Sequence, residues 1–164
     1  MNHFWLFVHL LGFTMWLGGG LAAMFIGIAA KAEDRSSLGA ITRSLAVVHR
    51  RVVSPGAVLA VISGLVLTFK VTGMAAPSPW LMAMQGAGLL GALINLAVML
   101  PTSSRAARID PTGPDGAYFD ELRNRMRVTG MVAGTLGALF VVPAFLMGWR
   151  GQAAGNRQQA AGTV

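Results

Sequence analysis

The sequence predicts an all-α membrane protein, a four-transmembrane-helix bundle with both termini outside (N-out/C-out) and its long loops in the cytoplasm. Three observations predict this class. The composition is 54% hydrophobic and only 12% charged, whereas a soluble domain carries about a quarter charged residues. The apolar residues form four long runs, and the basic residues collect in two of the segments between them. A spanning segment must satisfy its own backbone hydrogen bonds, so the runs predict helices.

The four runs set the predicted elements. They place transmembrane helices over about 4–30, 52–71, 80–100 and 128–149. Each run is close to or above the roughly 20 residues needed to cross the hydrocarbon core of a bilayer. The sequence therefore predicts one transmembrane domain over 1–150. The tail over 151–164 is rich in Gly, Ala, Gln and Thr and is predicted to be disordered.

Lysine and arginine set the predicted orientation. Five basic residues lie between the first two runs and five between the last two, whereas Thr72–Pro79 contains none. The positive-inside rule therefore places both long loops in the cytoplasm. Anionic lipid head groups are the predicted partners of basic residues at this face, among them Arg50, Arg51, Arg105 and Arg108. Nucleic acid is excluded as a partner, because the basic residues lie beside apolar spans.

Aromatic residues indicate the same orientation. Trp5 opens the first run, Trp80 opens the third and Trp149 closes the fourth. With alternating spans, all three fall at the outer interface, where tryptophan is enriched. Trp16 lies deep in the first helix and is expected to pack against protein, a ligand or lipid.

Both inner loops contain further helical patterns. Leu38, Ile41, Leu45 and Val48 recur at helical spacing, which predicts a short amphipathic helix on the cytoplasmic face, between the first two spans. In the second loop, Asp115 is predicted to cap a helix that continues into the fourth span.

His9 is the main candidate for chemistry, because it lies inside the first span. An ionisable residue in a span is costly and marks a candidate functional site, although a hydrogen bond to a neighbouring helix would also account for it. Met84 and Met82 fall near the same depth, below Trp80 as His9 is below Trp5. Histidine with methionine is a known axial pair for haem iron, and the same groups suit Cu(I). Methionine is also a common apolar filler.

The remaining polar and small residues are predicted to be structural. His49, beside Arg50 and Arg51, is predicted to be an interfacial residue near lipid phosphates. Interhelical hydrogen bonds are the prediction for the polar residues within the spans, which are Ser63, Thr68, Gln85 and Asn95. Glycines in the spans, such as the pair Gly130 and Gly134, predict close helix packing. The chain has no cysteine, so thiolate metal sites and disulfides are excluded.

The order of several motifs resembles a known group of membrane proteins. In the first span, His9 precedes Trp16 by seven residues and Gly19 follows. Arg50, Pro55 and Gly64 follow in the second span, and Trp80-Leu81 opens the third. These motifs resemble the pattern shared by HemJ-type protoporphyrinogen oxidases, CopD-type copper-resistance membrane domains and related small membrane proteins of unknown function.

The resemblance implies a bacterial inner (plasma) membrane protein that holds haem b through His9. Met84 would be the sixth ligand, and Trp16 and Gly19 would shape the pocket. HemJ-type proteins carry a lysine where this chain has Met84 and a histidine where it has Asn95. We therefore predict the site but not the oxidase reaction, and the relatives of unknown function are the closer match.

Three functional hypotheses remain open at this point. The first is binding of haem b, or another redox cofactor, near the outer leaflet. The second is copper handling or transport by His9, Met84 and Met82. The third is a non-catalytic subunit or scaffold that packs through glycine-rich helix faces, as a homo-oligomer or with a membrane partner.

Overall fold

The computed structural model describes the backbone of residues 2–72 and 79–161, and the side chains of 3–70, 81–137 and 139. Every element in this part of the chain is helical, which confirms the all-α class. The helices are α1 (Asn2–Ala29), α2 (Arg35–Val48), α3 (Ser54–Thr72), α4 (Pro79–Ile94), α5 (Leu100–Ala106) and α6 (Gly116–Ala161). Two π-helical segments interrupt the series, π1 (His49–Val53) and π2 (Asn95–Met99).

Three stretches of the described chain are long and apolar enough to cross a bilayer. They are His3–Ala29, Arg35–Lys70 and Leu81–Ala106. The predicted fourth span, 128–149, lies within α6, but half of its side chains fall outside the described part. The count of four spans therefore stays a prediction. The backbone of the tail is helical as far as Ala161, residues 162–164 lie outside the description, and disorder of the tail in solution also stays a prediction.

The helices extend past the apolar runs at their inner ends. Helix α2 leads through π1 into α3, and α4 leads through π2 into α5, without a non-helical residue at either junction. Each π segment accommodates an extra residue in the turn, an arrangement that recurs at functional sites. Both segments lie where a predicted span meets its inner loop.

Side-by-side contacts give the order in which the helices pack. Helix α1 packs along α3, α3 contacts α4, and α4 contacts α6. The α1–α3 contact is the most extensive of these. It places His9, on the first helix, directly against the middle of α3.

The two inner loops pack into one small unit, which we call the inner unit. Its apolar centre consists of Ala30, Leu38 and Phe119, with Ile41 and Ile109 against it. Leu38 and Ile41 were predicted to share one face of an amphipathic helix, and α2 confirms this. That face packs against protein, because Phe119 from α6 covers it.

Arg35 ties the inner unit together. Its Nε donates to the carbonyl oxygen of Pro111 at 2.7 Å, and a terminal nitrogen donates to the carbonyl of Gly116 at 3.3 Å. The same guanidinium forms an ion pair with Asp120 at 3.0 Å. Helix α6 begins at Gly116, directly after the predicted cap residue Asp115. One arginine thus joins α2 to the second loop and to the start of α6.

Candidate functional site

Glycines bring the backbones of α1 and α3 into direct contact. A Cβ added to Gly12 would lie 2.6 Å from the backbone nitrogen of Ala60, and one added to Gly56 would lie 2.7 Å from that of Trp16. Gly12, Gly56 and Ala60 are all buried. Small residues at such positions are what allow membrane helices to approach closely. The consequence is that side chains near this crossing, His9 included, meet the opposite backbone.

Trp5 and Lys70 mark the end of the bundle where His9 lies. The Lys70 Nζ is 5.8 Å from the centroid of the Trp5 ring, within the range of a cation–π interaction. Following the predicted orientation, we call this the outer end. At about 1.5 Å per residue along a helix, His9 lies roughly 6 Å further in than Trp5.

His9 is held by α3 through one ring nitrogen. Its Nδ1 is 2.9 Å from the carbonyl oxygen of Ala60 and 3.1 Å from Ser63 Oγ. A carbonyl oxygen only accepts, so Nδ1 carries the proton. The Ser63 hydroxyl donates back to the carbonyl of Leu59 on its own helix, which leaves its oxygen free to accept from Nδ1. The neutral ring is therefore the tautomer with a lone pair on Nε2.

That second nitrogen, Nε2, is the group available for a ligand. No hydrogen bond to it occurs among the described residues, and it is not one of the enclosed polar atoms that lack a partner. The imidazole rests on Gly64, where an added Cβ would lie 3.1 Å from Cε1. The Phe13 ring lies to one side, with 6.1 Å between the ring centroids. The ring is thus oriented by protein while one nitrogen stays accessible.

A polar link joins α4 to α3 close to this histidine. The Gln85 side-chain amide donates to Thr68 Oγ1, which in turn donates to the carbonyl oxygen of Gly64 at 3.0 Å. Thr68 is one turn from Gly64, the residue under His9. This confirms interhelical hydrogen bonding for Gln85, Thr68 and Ser63, and it fixes the α4 turn that carries Met84.

The two predicted thioether ligands lie on this part of α4. Met84 is 46% exposed and Met82 is 59% exposed. The contacts described for His9 are with α3 and with Phe13, and none of these contacts involves either methionine. Within the described residues, no group of three or more His, Asp or Glu side chains could hold a metal ion. The roles of Met84 and Met82 as ligands stay predictions.

Trp16 and Gly19 have packing partners. An added Cβ on Gly91 of α4 would lie 3.1 Å from the Trp16 ring, so the indole packs on α4 at a glycine. An added Cβ on Gly19 would lie 2.9 Å from Val53. Of the alternatives for Trp16, contact with protein is the one observed. A pocket-shaping role for either residue stays a prediction.

A second histidine lies buried at the inner end, where the sequence predicted an interfacial residue. His49 is only 6% exposed, so its assignment to lipid phosphates was wrong. It hydrogen-bonds the side chain of Asn95, and Asn95 Nδ2 donates to Ser54 Oγ at 3.1 Å. The spacing could have revealed this, since His49 follows the buried residues Leu38 and Thr42 at helical intervals.

The His49 ring has one nitrogen that nothing satisfies. Asn95 thus links His49 to Ser54, with its amide nitrogen donating to the Ser54 hydroxyl. The unpaired nitrogen is Nδ1, a buried atom without a hydrogen-bond partner in the structure. His49 and Asn95 are the first residues of π1 and π2. A polar contact thus joins the two π segments, and the Nδ1 atom of His49 remains without a hydrogen-bond partner.

Comparison with known proteins supplies a family. A family model described as "Predicted integral membrane protein (DUF2269)" matches residues 4–151. The chain belongs to this family. No curated protein and no solved structure matches it significantly.

Membership in the DUF2269 family covers every residue singled out so far. His9, His49, Met84 and Asn95 all lie inside the matched range. The match establishes an integral membrane protein of helical fold. The similarity to HemJ-type and CopD-type proteins stays a prediction, as does the bacterial inner membrane as its location.

Proposed function

We propose that this integral membrane protein binds haem b near the outer leaflet, with His9 Nε2 as an axial ligand to the iron. One observation carries the proposal, the bond from Nδ1 to the Ala60 carbonyl at 2.9 Å. Histidines that bind metals almost always donate their other ring N–H to a carbonyl or carboxylate, which fixes the tautomer and the ring direction. His9 meets this requirement through the backbone of a neighbouring helix.

The surroundings of His9 fit a flat cofactor. Gly64 lies against the Cε1 and Nδ1 atoms of the ring, so residue 64 contributes no side chain beside the histidine. On α4, Cβ atoms added at Gly86 and Gly88 would meet nothing within 4 Å. Met84 lies between Met82 and these glycines and is exposed, so its thioether is free to act as the sixth ligand without leaving a packed core. The bond between Gln85 and Thr68 keeps this turn next to α3.

Haem b would supply one-electron transfer at this site. The chain's own contribution is the hydrogen bond that His9 Nδ1 donates to Ala60. This bond fixes the tautomer and the orientation of the ring, so that the lone pair on Nε2 is available to the iron. Ser63 adds a second acceptor to that N–H. The described spans contain no carboxylate, so α1, α3 and α4 offer no acidic group for proton transfer, and we propose electron transfer rather than the HemJ reaction.

The test is the optical spectrum of the detergent-purified protein, expressed with ample haem. A Soret band that shifts on reduction is expected. It should be lost in His9→Ala and retained in the matched control His3→Ala, whose histidine lies in the exposed first turn. A wild-type protein without a Soret band would overturn the proposal. A Soret band retained in both variants would overturn it as well.

Copper handling is the second candidate, and the exposed thioethers of Met82 and Met84 favour it. Thioether and imidazole together suit Cu(I). Elemental analysis of the same preparations distinguishes the two. Stoichiometric copper without a Soret band, lost in His9→Ala and in Met84→Leu, would replace haem by copper. A colourless and metal-free protein that co-purifies with a larger complex would instead support the scaffold hypothesis.

A further inference from the structure

The arginines of the inner end fall into two groups by their partners. Arg35 binds two carbonyls and Asp120. Arg123 donates to the carbonyl oxygen of Ala30 at 3.0 Å. The pKa of Asp110 is lowered by hydrogen bonds from Thr112, and the charge of Arg43 acts in the same direction. These three arginines are used inside the inner unit.

The second group has no such use, and it includes Arg125 and Arg127 of α6 as well as four arginines on two other elements. These four are Arg50 and Arg51 in π1, Arg105 in α5 and Arg108 two residues after its end, and we call them the arginine patch. Each is exposed, and their side chains form no hydrogen bond or ion pair within the part of the chain that the structure describes. Segment π1 and helix α5 are in contact, so the four charges belong to adjacent elements.

No carboxylate within these elements offsets the patch. The helical elements from α1 to α5, with both π segments, contain no Asp or Glu at all. The acidic residues lie in the loops and at the start of α6. No acidic side chain of these elements neutralises the four guanidiniums, so an anion from outside the chain would stabilise them.

The position of the patch selects the partner. Arg50 and Arg51 directly precede α3, whose Val58 and Ile62 are exposed apolar residues. Arg105 follows exposed Leu96 by about two and a half turns. Because exposed apolar residues follow or precede these arginines on the same helices, we expect the guanidiniums to lie near the head groups of a surrounding bilayer. Guanidinium binds phosphate through paired hydrogen bonds.

We propose that the arginine patch is a binding site for the phosphate head group of an anionic phospholipid in the inner leaflet. The attraction of an anionic membrane amounts to about fivefold in affinity per basic residue. Two arginines removed from the patch should therefore weaken lipid binding about 25-fold. The proposal is independent of haem binding at the outer end.

The experiment compares two double variants of the full-length protein in detergent. Arg50→Gln/Arg51→Gln removes two charges from the patch. Arg125→Gln/Arg127→Gln removes two exposed charges from α6, where Glu121 precedes Arg125 by one turn and already offsets it. Native mass spectrometry measures binding of phosphatidylglycerol, with phosphatidylcholine and inorganic phosphate as comparison ligands.

The expected result is phosphatidylglycerol binding that falls by more than tenfold in the patch variant and by less than threefold in the α6 variant. Arg50→Lys/Arg51→Lys, which keeps the charges, should be intermediate and shows that the loss is not a folding defect. Equal losses in both Gln variants would overturn the proposal in favour of diffuse charge attraction. Equal affinity for phosphatidylcholine would exclude anionic selectivity, and equal affinity for inorganic phosphate would show a phosphate site instead of a lipid site.

Discussion

His9 and His49 show that the surroundings of a histidine decide whether a ligand can reach it. Each ring hydrogen-bonds a neighbouring helix, His9 through a donor bond to the Ala60 carbonyl and His49 through the side chain of Asn95. The remaining nitrogen of His9 is accessible, whereas that of His49 is enclosed and unpaired. A ligand can therefore reach the first ring in the observed arrangement but not the second. For this reason the proposed cofactor belongs at the outer end.

The His49 contact makes Asn95 a residue whose loss should be measurable. In Asn95→Leu, His49 loses its hydrogen-bond partner and Ser54 loses its donor, while the side-chain volume is roughly kept. An unsatisfied buried group costs about 1–3 kcal/mol, and hydrogen bonds between membrane helices average about 0.6 kcal/mol. We expect a loss of about 1–2 kcal/mol in the free energy of unfolding, measured by denaturant titration in detergent.

The double variant His49→Leu/Asn95→Leu is the control for this prediction. Replacing both partners by apolar groups removes the unpaired nitrogen together with its bond, so the double variant should be more stable than the sum of the single effects predicts. Strictly additive effects would show that the two side chains do not interact.

At the scale of elements, the α1–α3 contact depends on glycines, because they have no side chain to keep the two backbones apart. Gly12 and Gly56 face each other's backbones, whereas Gly18 and Gly20 of the same helix α1 have nothing within 4 Å of an added Cβ. Glycine content alone therefore does not identify a packing position. The face of the helix on which a glycine lies decides whether it serves the contact.

Alanine substitutions on α1 separate these two kinds of glycine. Gly12→Ala places a methyl group 2.6 Å from the Ala60 backbone nitrogen, so the helices must move apart, at a cost of about 1–3 kcal/mol for overpacking. Gly20→Ala should be neutral or stabilising by up to about 1 kcal/mol, because alanine favours helix. Thermal unfolding of both variants in one detergent checks this, and equal stabilities would refute the close approach of α1 and α3.

The centres of the helices were predictable from the sequence, and their inner ends were not. Apolar runs show where lipid surrounds the chain, so α1, α3 and α4 were located by composition. Hydropathy does not show where backbone hydrogen bonding stops, and α4 continues through π2 and α5 to Ala106, beyond the predicted end near 100. The π segments depend on one extra residue in a turn, which leaves no trace in hydropathy.

The candidate site was predictable only as far as residue type allows. An ionisable side chain in a span singles out His9, but its acceptor is a backbone carbonyl, and any residue could stand at position 60 to provide one. The exposure of Met84 and the burial of His49 depend on the rotation of their helices about their own axes. That rotation is set by the contact between Gly12 and Gly56 and by the link from Asn95 to Ser54, neither of which a single sequence reveals.

At the scale of the whole molecule, the inner unit fixes which helix ends lie together. Arg35 joins α2 to the start of α6, and Arg123 of α6 reaches back to Ala30 at the end of α1. The C-terminal end of α1 and the N-terminal end of α6 therefore share one side of the bundle. Chain direction then places the C-terminal end of α3 and the N-terminal end of α4 at the opposite side, which agrees with spans that alternate in direction.

Cysteine labelling can test the orientation without background, because the chain contains no cysteine. Ser36→Cys lies at an exposed position of α2, in the loop predicted to face the cytoplasm. In intact cells it should resist a membrane-impermeant maleimide and react only after permeabilisation. Ser78→Cys, in the cation-free segment between the second and third spans, should react in intact cells. The unsubstituted chain is the control for non-specific labelling.

The labelling result bears on both proposals, because orientation decides which surface each site meets. Arginines attract anionic lipid wherever they lie, but the positive-inside bias exists only for the cytoplasmic face, so the arginine patch should share the side of Ser36. If only Ser36→Cys reacted in intact cells, the orientation would be the reverse of the predicted one, and His9 would lie in the inner leaflet. Reaction of both variants from one side would mean that the chain does not cross the membrane between them, which would contradict the spans assigned to α3.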